Sequence, residues 1–214
     1  MSNFSSDIAF TPSVKAVQTE RGSRGAYARM EQERGFNTEI TPELAAFIAG
    51  VDTAYLATAN AASQPYVQHR GGPKGFIRVI DEHTLGFADF AGNRQYITTG
   101  NLAENDKAFL FLMDYAHRRR VKVWGRARVV RDDPALIASL MPSDYRARPE
   151  QALLFAVEAW DVNCPQHIPQ KLDAADVAAA LARLEERNAE LSAEIDRLTR
   201  ELSAAVTGVR AEAK

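Results

Sequence analysis

Arg120–Arg131, RVKVWGRARVVR, alternates along its whole length. Val121, Val123, Gly125, Ala127 and Val129 fall on one face, and Lys122, Trp124, Arg126 and Arg128 on the other. A period of two marks a strand with one face in a core and the other in water or against a partner. Outward from it, runs of the same kind recur at Thr53–Ala59, Pro65–Arg70, Phe76–Ile80, Leu85–Ala88, Lys107–Met113 and Leu153–Trp160. Each is short and rich in β-branched or aromatic residues. Turn signals at Asn60–Gln64, Gly71–Pro73 and Asp81–Thr84 separate them. Short strands with few helices between them predict an antiparallel barrel, mainly β with some α. Helical segments are expected near Asn93–Glu104 and at Pro134–Met141, the second opened by Asp133 as N-cap.

The flanks differ. Residues 1–40 are polar and punctuated by Gly22, Gly25 and Gly35, which predicts short helices over Pro12–Glu20 and Arg24–Arg34. Thr41-Pro42-Glu43 starts another helix with a Thr cap, Pro at the first position and an acid in the first turn. Leu44, Phe47 and Ile48 give it an apolar face, and Gly50 closes it. The expected organisation is an N-terminal helical arm (1–40), a barrel (41–171) and a C-terminal helix (173–212).

That helix is predicted by a heptad. Leu181, Asn188, Ile195, Leu202 and Val209 fall at a; Leu184, Leu191, Leu198 and Ala205 fall at d. Unbroken 3-4 spacing is a coiled-coil signal, and a buried Asn at a is tolerated where it pairs with its own copy. Self-association is the expectation; a single amphipathic helix packed on its own barrel is the alternative. The e and g charges leave parallel and antiparallel pairing open.

The chain has 214 residues, 46% of them hydrophobic, and a formal net charge of −2. A core is therefore expected, without a global pull toward nucleic acid or anionic membranes. The basic face of His117–Arg128 would serve nucleic acid, but the net charge and sparse aromatics argue against it. Cys164 is the only cysteine, so no intrachain disulfide can form, which fits a reducing compartment. The start, MSNFSSDIAFTPSV, lacks a basic region followed by an apolar one, and runs such as Ala108–Met113 are too short to span a bilayer. A cytoplasmic protein is expected. Cys164 and His167 lack further nearby metal ligands and read as structural.

Two stretches carry candidate chemistry. Tyr66–Phe76, YVQHRGGPKGF, sets Arg70 and Lys74 among Gly71, Gly72 and Gly75. Glycine lets a backbone approach a ligand, and arginine grips phosphate. Asp89–Asn101, DFAGNRQYITTGN, follows a strand and leads into a predicted helix, which places Asn93, Arg94 and Gln95 at a helix N-terminus. Two such loops, with donors from Gln68 and His69, suggest a bipartite site for a phosphorylated cofactor. The plain alternative has Arg70 and Arg94 bonding nearby loops or carboxylates. GGPKGF lacks the ending of a P-loop, and no G-x-G-x-x-G occurs.

Tyr55–Asn60 (YLATAN), Gln64–Phe76 (QPYVQHRGGPKGF), Thr84–Leu102 (TLGFADFAGNRQYITTGNL), Arg118–Val130 (RRRVKVWGRARVV) and Asn163–Gln170 (NCPQHIPQ) form an ordered set. Together they resemble the FMN-binding split-barrel branch of the pyridoxamine 5′-phosphate oxidase-like superfamily, from about residue 10 to 171. The resemblance implies a six-stranded antiparallel split barrel that dimerises through its sheets and holds FMN between subunits. It places the phosphate on Gln68, His69, Arg70 and Lys74 and on the turn Asn93, Arg94, Gln95. Backbone N–H groups around Gln68–Gly72 would face the ring edge, and Trp124 or Trp160 of a second subunit would wall the ring. His69 is read as facing the cleft; Gln18, Arg21 and Tyr27 are weaker candidates for a lid. The chain departs from the family where Arg94-Gln95 stands in place of Arg-Lys. It also lacks the C-terminal Trp/Arg-x-His pattern that grips pyridoxal phosphate, since Trp160 and His167 are spaced differently. That argues against pyridoxamine phosphate as the substrate. The implied activity is hydride transfer through flavin N5 to or from a small molecule, with NAD(P)H as a candidate reductant. A non-catalytic flavin- or haem-binding protein, or a coiled-coil adaptor, is the other class.

Overall fold

A computed structural model describes residues 4–162 and 164–212, with side chains described as far as Ala205. Asn163 of the NCPQHIPQ stretch and the side chain of Val209 lie outside the described residues. The chain divides into two compact units, the first ending at Pro169 and the second beginning at Gln170.

The first unit opens with a 3-10 turn, Ser5–Ile8, followed by α1 (Pro12–Glu20), α2 (Arg24–Glu33) and α3 (Pro42–Ala49). The strands are β1 (Thr53–Ala59), β2 (Pro65–Gly71), β3 (Arg78–Asp81), β4 (Thr84–Phe90), β5 (Lys107–Asp114), β6 (Arg119–Val130) and β7 (Pro149–Val162). Between them lie α4 (Ile97–Glu104) and α5 (Pro134–Ser139). The strands form one antiparallel sheet in the order β2-β1-β5-β6-β7-β4-β3. Each run read as a strand from the sequence overlaps a strand here; the one expected at Phe76–Ile80 begins only at Arg78. Among the described residues the count is seven rather than the six that the family resemblance implies, with the short β3 as an exposed edge beside β4.

Alternation builds the core. Ala54 and Leu56 of β1, Leu110 and Leu112 of β5, Val121 and Val123 of β6, and Leu153 and Phe155 of β7 are buried in one cluster. Leu44, Phe47 and Ile48 of α3 complete it. Thr41 caps α3 by accepting from the Leu44 N–H at 3.3 Å. The long strands bend where β6 pairs with β7, with a register shift between Trp124 and Gly125. Gly125 permits that bend: a Cβ there would stand 1.9 Å from the Ala156 carbonyl oxygen. The loop after β2 needs Gly75, which has φ +77° and rests against the Ala49 backbone.

The N-terminal arm packs on the outer face of β6. Phe36 stacks on Trp124 (5.3 Å between centroids, 14° between planes), and Phe10 meets Phe36 edge-on. Asn37 bridges Trp160, whose indole N–H donates to the Glu39 carbonyl at 2.7 Å. Trp160 is thereby buried as part of the fold. Among the proposed lid residues, Gln18 is buried and accepts from Arg24, and Tyr27 lies edge-on to Phe10. Glu31 ties the arm together: its side chain is 1% exposed and pairs with Arg24 and with Lys15 at 3.0 Å. Ser6 donates to it as well, at 3.2 Å.

The second unit is one helix, α6 (Ala174–Glu212), as the heptad predicts. Among the described residues, no helix is long and apolar enough to cross a membrane.

Burial alone would raise the Glu31 carboxyl, but hydrogen bonds from Arg24, Lys15 and Ser6 outweigh it and hold the group below the ordinary glutamate value. A carboxyl depressed in the folded state lends stability above its unfolded pKa of about 4.3 and loses it as pH falls through the lower folded value. Acidification below about pH 4 should therefore release the arm. Amide exchange in Phe10–Phe36 should rise there before exchange in β5–β7, and Glu31→Gln should show the raised exchange already at neutral pH.

Candidate cofactor site

Four strands lie between β2 and β4 in the sheet order, yet Arg70 of β2 ion-pairs with Asp89 of β4. The sheet has therefore curled until its two flanks nearly meet. The pair closes the seam with side chains where no strand pairing does. Both side chains are mostly buried, 13% and 11% exposed. Gln151 of β7 donates from Nε2 to Asp89 Oδ2 at 2.7 Å and approaches Thr99 Oγ1 of α4 at 3.1 Å. Two further ties dock α4 on the seam: Thr98 Oγ1 donates to Gln68 Oε1 at 2.7 Å, and Asn101 Nδ2 donates to Thr58 Oγ1 at 3.0 Å. Polar groups buried this deeply must be paired, so the network fixes the position of α4 as well as filling space.

The helix expected from Asn93 begins at Ile97. Arg94 (φ 59°) and Tyr96 (φ 53°) adopt left-handed backbone, which no α-helix can contain. Asn93, Arg94 and Gln95 thus sit in the loop ahead of α4, where Asn93 Oδ1 accepts from the Gln95 N–H at 3.2 Å. No side chain caps α4, so its first N–H groups open toward the loop. Left-handed non-glycine residues cost roughly 1–3 kcal/mol each and gather at functional sites.

These elements enclose a cleft of about 50 Å³, lined among others by Gln68, Arg70, Asn93, Arg94, Gln95 and Thr98. Five of the expected cofactor residues therefore meet in one place. The volume suits a phosphoryl group; whole-ligand sites run to about 300–1,000 Å³. A second cleft of about 180 Å³ shares Gln68, Arg70 and Asp89 and adds His69, Gly71, Phe76 and Phe87.

Four expected residues lie outside the first cleft; of these, His69 and Gly71 line the second. His69 alternates to the face opposite Gln68 and Arg70, with its ring edge-on to Tyr55 at 5.7 Å. Lys74 is exposed on the loop after β2 and lines neither cleft. Trp124 lies under Phe36 on the outer face of β6, edge-on to Phe109 at 5.2 Å. Asp89, Gln151, Thr98 and Glu150 were not singled out from the sequence. Asp89 heads the DFAGNRQ stretch, and Gln151 is a polar residue inside an otherwise apolar strand, so each left a signal.

The charges are matched. Asp89 answers Arg70, and Glu150 stands 3.8 Å from Arg94, a loose contact with Arg94 63% exposed. The Arg70 Nε is buried without a hydrogen-bond partner among the described residues. What tips the cleft toward an anion is the uncapped end of α4 together with an arginine free to swing from Glu150. These residues fit a phosphate group. They do not wall a flavin ring by themselves.

The family model for pyridoxamine 5′-phosphate oxidase matches residues 40–164, and the chain belongs to that family. No curated protein sequence matches it. Among solved structures, HupZ of Group A Streptococcus is 21% identical, with a TM-score of 0.47 over 62% of this chain and 99% of that one. An FMN-binding protein from Syntrophomonas wolfei is 11% identical, TM-score 0.45, over 68% and 97%. General Stress Protein 26 from Bacillus anthracis is 15% identical, TM-score 0.42, over 55% and 88%.

The two kinds of residue in the cleft should separate on stability. Gln151→Leu leaves Asp89 and Thr99 short of a partner and should cost about 1–3 kcal/mol in urea unfolding. Arg94→Ala removes an exposed pair and should change stability by less than about 1 kcal/mol.

Proposed function

We propose that this member of the pyridoxamine 5′-phosphate oxidase family is an FMN-binding oxidoreductase that passes hydride to or from a small substrate. The observation that carries the reading is the convergence of Gln68, Arg70, Asn93, Arg94 and Gln95 on the uncapped end of α4. Arg94, Asn93 and the first N–H groups of α4 would hold the phosphate, as charge-assisted donors do. Arg70, already bound to Asp89, fixes the wall of the cleft and lends its remaining N–H groups. Backbone around Gln68–Gly71 would face the ring, with Phe76 and Phe87 of the neighbouring cleft beneath it. Bound FMN supplies the hydride-exchanging N5 and the two-electron reservoir. The chain's part is to bind, orient and exclude water, and none of these residues has to act as a nucleophile.

The rest of the ring site is proposed to come from a second copy. Tyr55, Phe109 and Phe111 line the outer face of β1 and β5 and are each only half-buried. Pairing of that face would cover them and build the missing wall. The lone exposed Cys164 fits a reducing cytoplasm. NAD(P)H is the proposed reductant, and the substrate is a small molecule other than pyridoxamine phosphate.

One observation favours a second reading. Each arginine in the cleft faces a carboxylate, as in a purely structural network. Under it, the barrel would be a non-catalytic binding or adaptor protein. The visible spectrum of the purified chain, with FMN added and then NADPH under anaerobic conditions, separates the two. A yellow protein that bleaches supports the oxidoreductase; a chain that takes up no FMN removes it.

Arg94→Ala should weaken FMN binding at least tenfold, since a charged hydrogen bond is worth about 1.5–3 kcal/mol. Riboflavin, which lacks the phosphate, should bind the variant and the parent equally. Fluorescence titration of both ligands checks this, and an equal loss for both would remove Arg94 from the phosphate site.

A further inference from the structure

α6 runs 39 residues, about 58 Å at 1.5 Å per residue, and its apolar stripe is uncovered. Leu181, Leu184, Leu191, Ile195, Leu198 and Leu202 are between 45% and 67% exposed. Val177 extends the d series one heptad toward the N-terminus and is 38% exposed. Helices in proteins draw most of their stability from packing an apolar face, so a stripe of this length calls for a partner. A strict seven-residue repeat fits a left-handed two-stranded coil rather than a globular surface, which follows a 3.6-residue period.

The partner's nature can be read from position 188. We infer that α6 pairs with α6 of a second copy, parallel and in register. In that arrangement Asn188 meets the partner's Asn188 in the a layer. The two amides, each donor and acceptor, then satisfy one another. Reversing one helix sets a positions against d positions, so Asn188 would face a leucine or alanine and its amide would be buried without a partner.

The surface charges do not oppose it. Arg187 pairs with Glu190 at 2.8 Å, and Arg197 pairs with Glu201 at 2.6 Å, all along the same helix. They need nothing from a partner. In parallel pairing Arg187 at g faces the partner's Ser192, and Glu194 faces the partner's Thr199, so no like charges meet. With the whole helix paired head to tail, Glu194 would face the partner's Glu194 but Arg187 would face the partner's Glu201, so the charges leave the choice of orientation to Asn188. The inference rests on α6 alone and is independent of the flavin reading.

Disulfide trapping in the full-length chain tests it, with Cys164→Ser as background. Ala205→Cys, at d, and Leu181→Cys, at a, are introduced singly and equilibrated in a glutathione redox buffer. Parallel, in-register pairing predicts that each variant forms a covalent dimer with itself as the major species. Co-expression of the two in differently tagged chains should yield little 181–205 hybrid. Adding Asn188→Leu to that mixture should let the hybrid appear, because the penalty on reversal is gone. Failure of Ala205→Cys to cross-link would overturn the inference. So would a hybrid forming in the presence of Asn188, which means antiparallel pairing. Absence of any cross-link would mean that a different protein covers the stripe. A hybrid that stays absent with Asn188→Leu would remove Asn188 as the selector.

Discussion

The ion pair between Arg70 and Asp89 joins two strands that the sheet itself keeps far apart, and the candidate site is built on that junction. A curled antiparallel sheet that does not close by backbone pairing leaves two edges facing one another. Here the gap is spanned by a guanidinium and a carboxylate, each largely withdrawn from water. Breaking one partner of such a pair strands the other, a loss of about 3–5 kcal/mol. Gln151 then extends the pair to Thr99, and Thr98 extends α4 to Gln68, so seam and helix share one network. The loop that carries Arg94 is anchored at both ends by this network and is left-handed in between. A barrel that closes with side chains thus creates a cleft that a closed backbone would have filled.

This arrangement divides the two arginines by role. Arg70 is a buried structural cation whose charge is already answered. Arg94 is mostly exposed on the rim and loosely held, and it is the arginine proposed to meet the phosphate. Sequence alone sets the two side by side as equivalent phosphate ligands, because both stand in glycine-bearing loops. The difference lies in partners distant along the chain: Asp89 is nineteen residues from Arg70, and Gln151 is sixty-two residues from Asp89.

The fold was legible because its signals are local. Alternation in β6, the Thr-Pro-Glu start of α3 and the heptad of α6 each depend on residues within a few positions of one another. The start of α4 was less so, since nothing about Arg94 or Tyr96 as residue types announces left-handed backbone; tertiary fixing of the loop decides it. Five of the nine expected cofactor residues converge in the first cleft, His69 and Gly71 line the neighbouring one, and Lys74 and Trp124 line neither. His69 points away from Gln68 and Arg70 because a two-residue period sets neighbours on opposite sides of a strand, so the three cannot share one wall. Trp124 is covered by Phe36, eighty-eight residues earlier in the chain, and no local pattern carries that contact. Lys74 sits where Gly75 must turn past α3, a constraint of packing and not of chemistry.

The central claim is that Arg70 and Asp89 act as one unit holding the seam. A double-mutant cycle on Arg70→Ala, Asp89→Ala and the double variant, read by urea unfolding of the cofactor-free chain, tests it most directly. The account predicts a coupling of at least about 2 kcal/mol, with the double variant more stable than the sum of the single losses allows. Losses that add to within about 0.5 kcal/mol would mean that the two groups are independent and that something else closes the barrel.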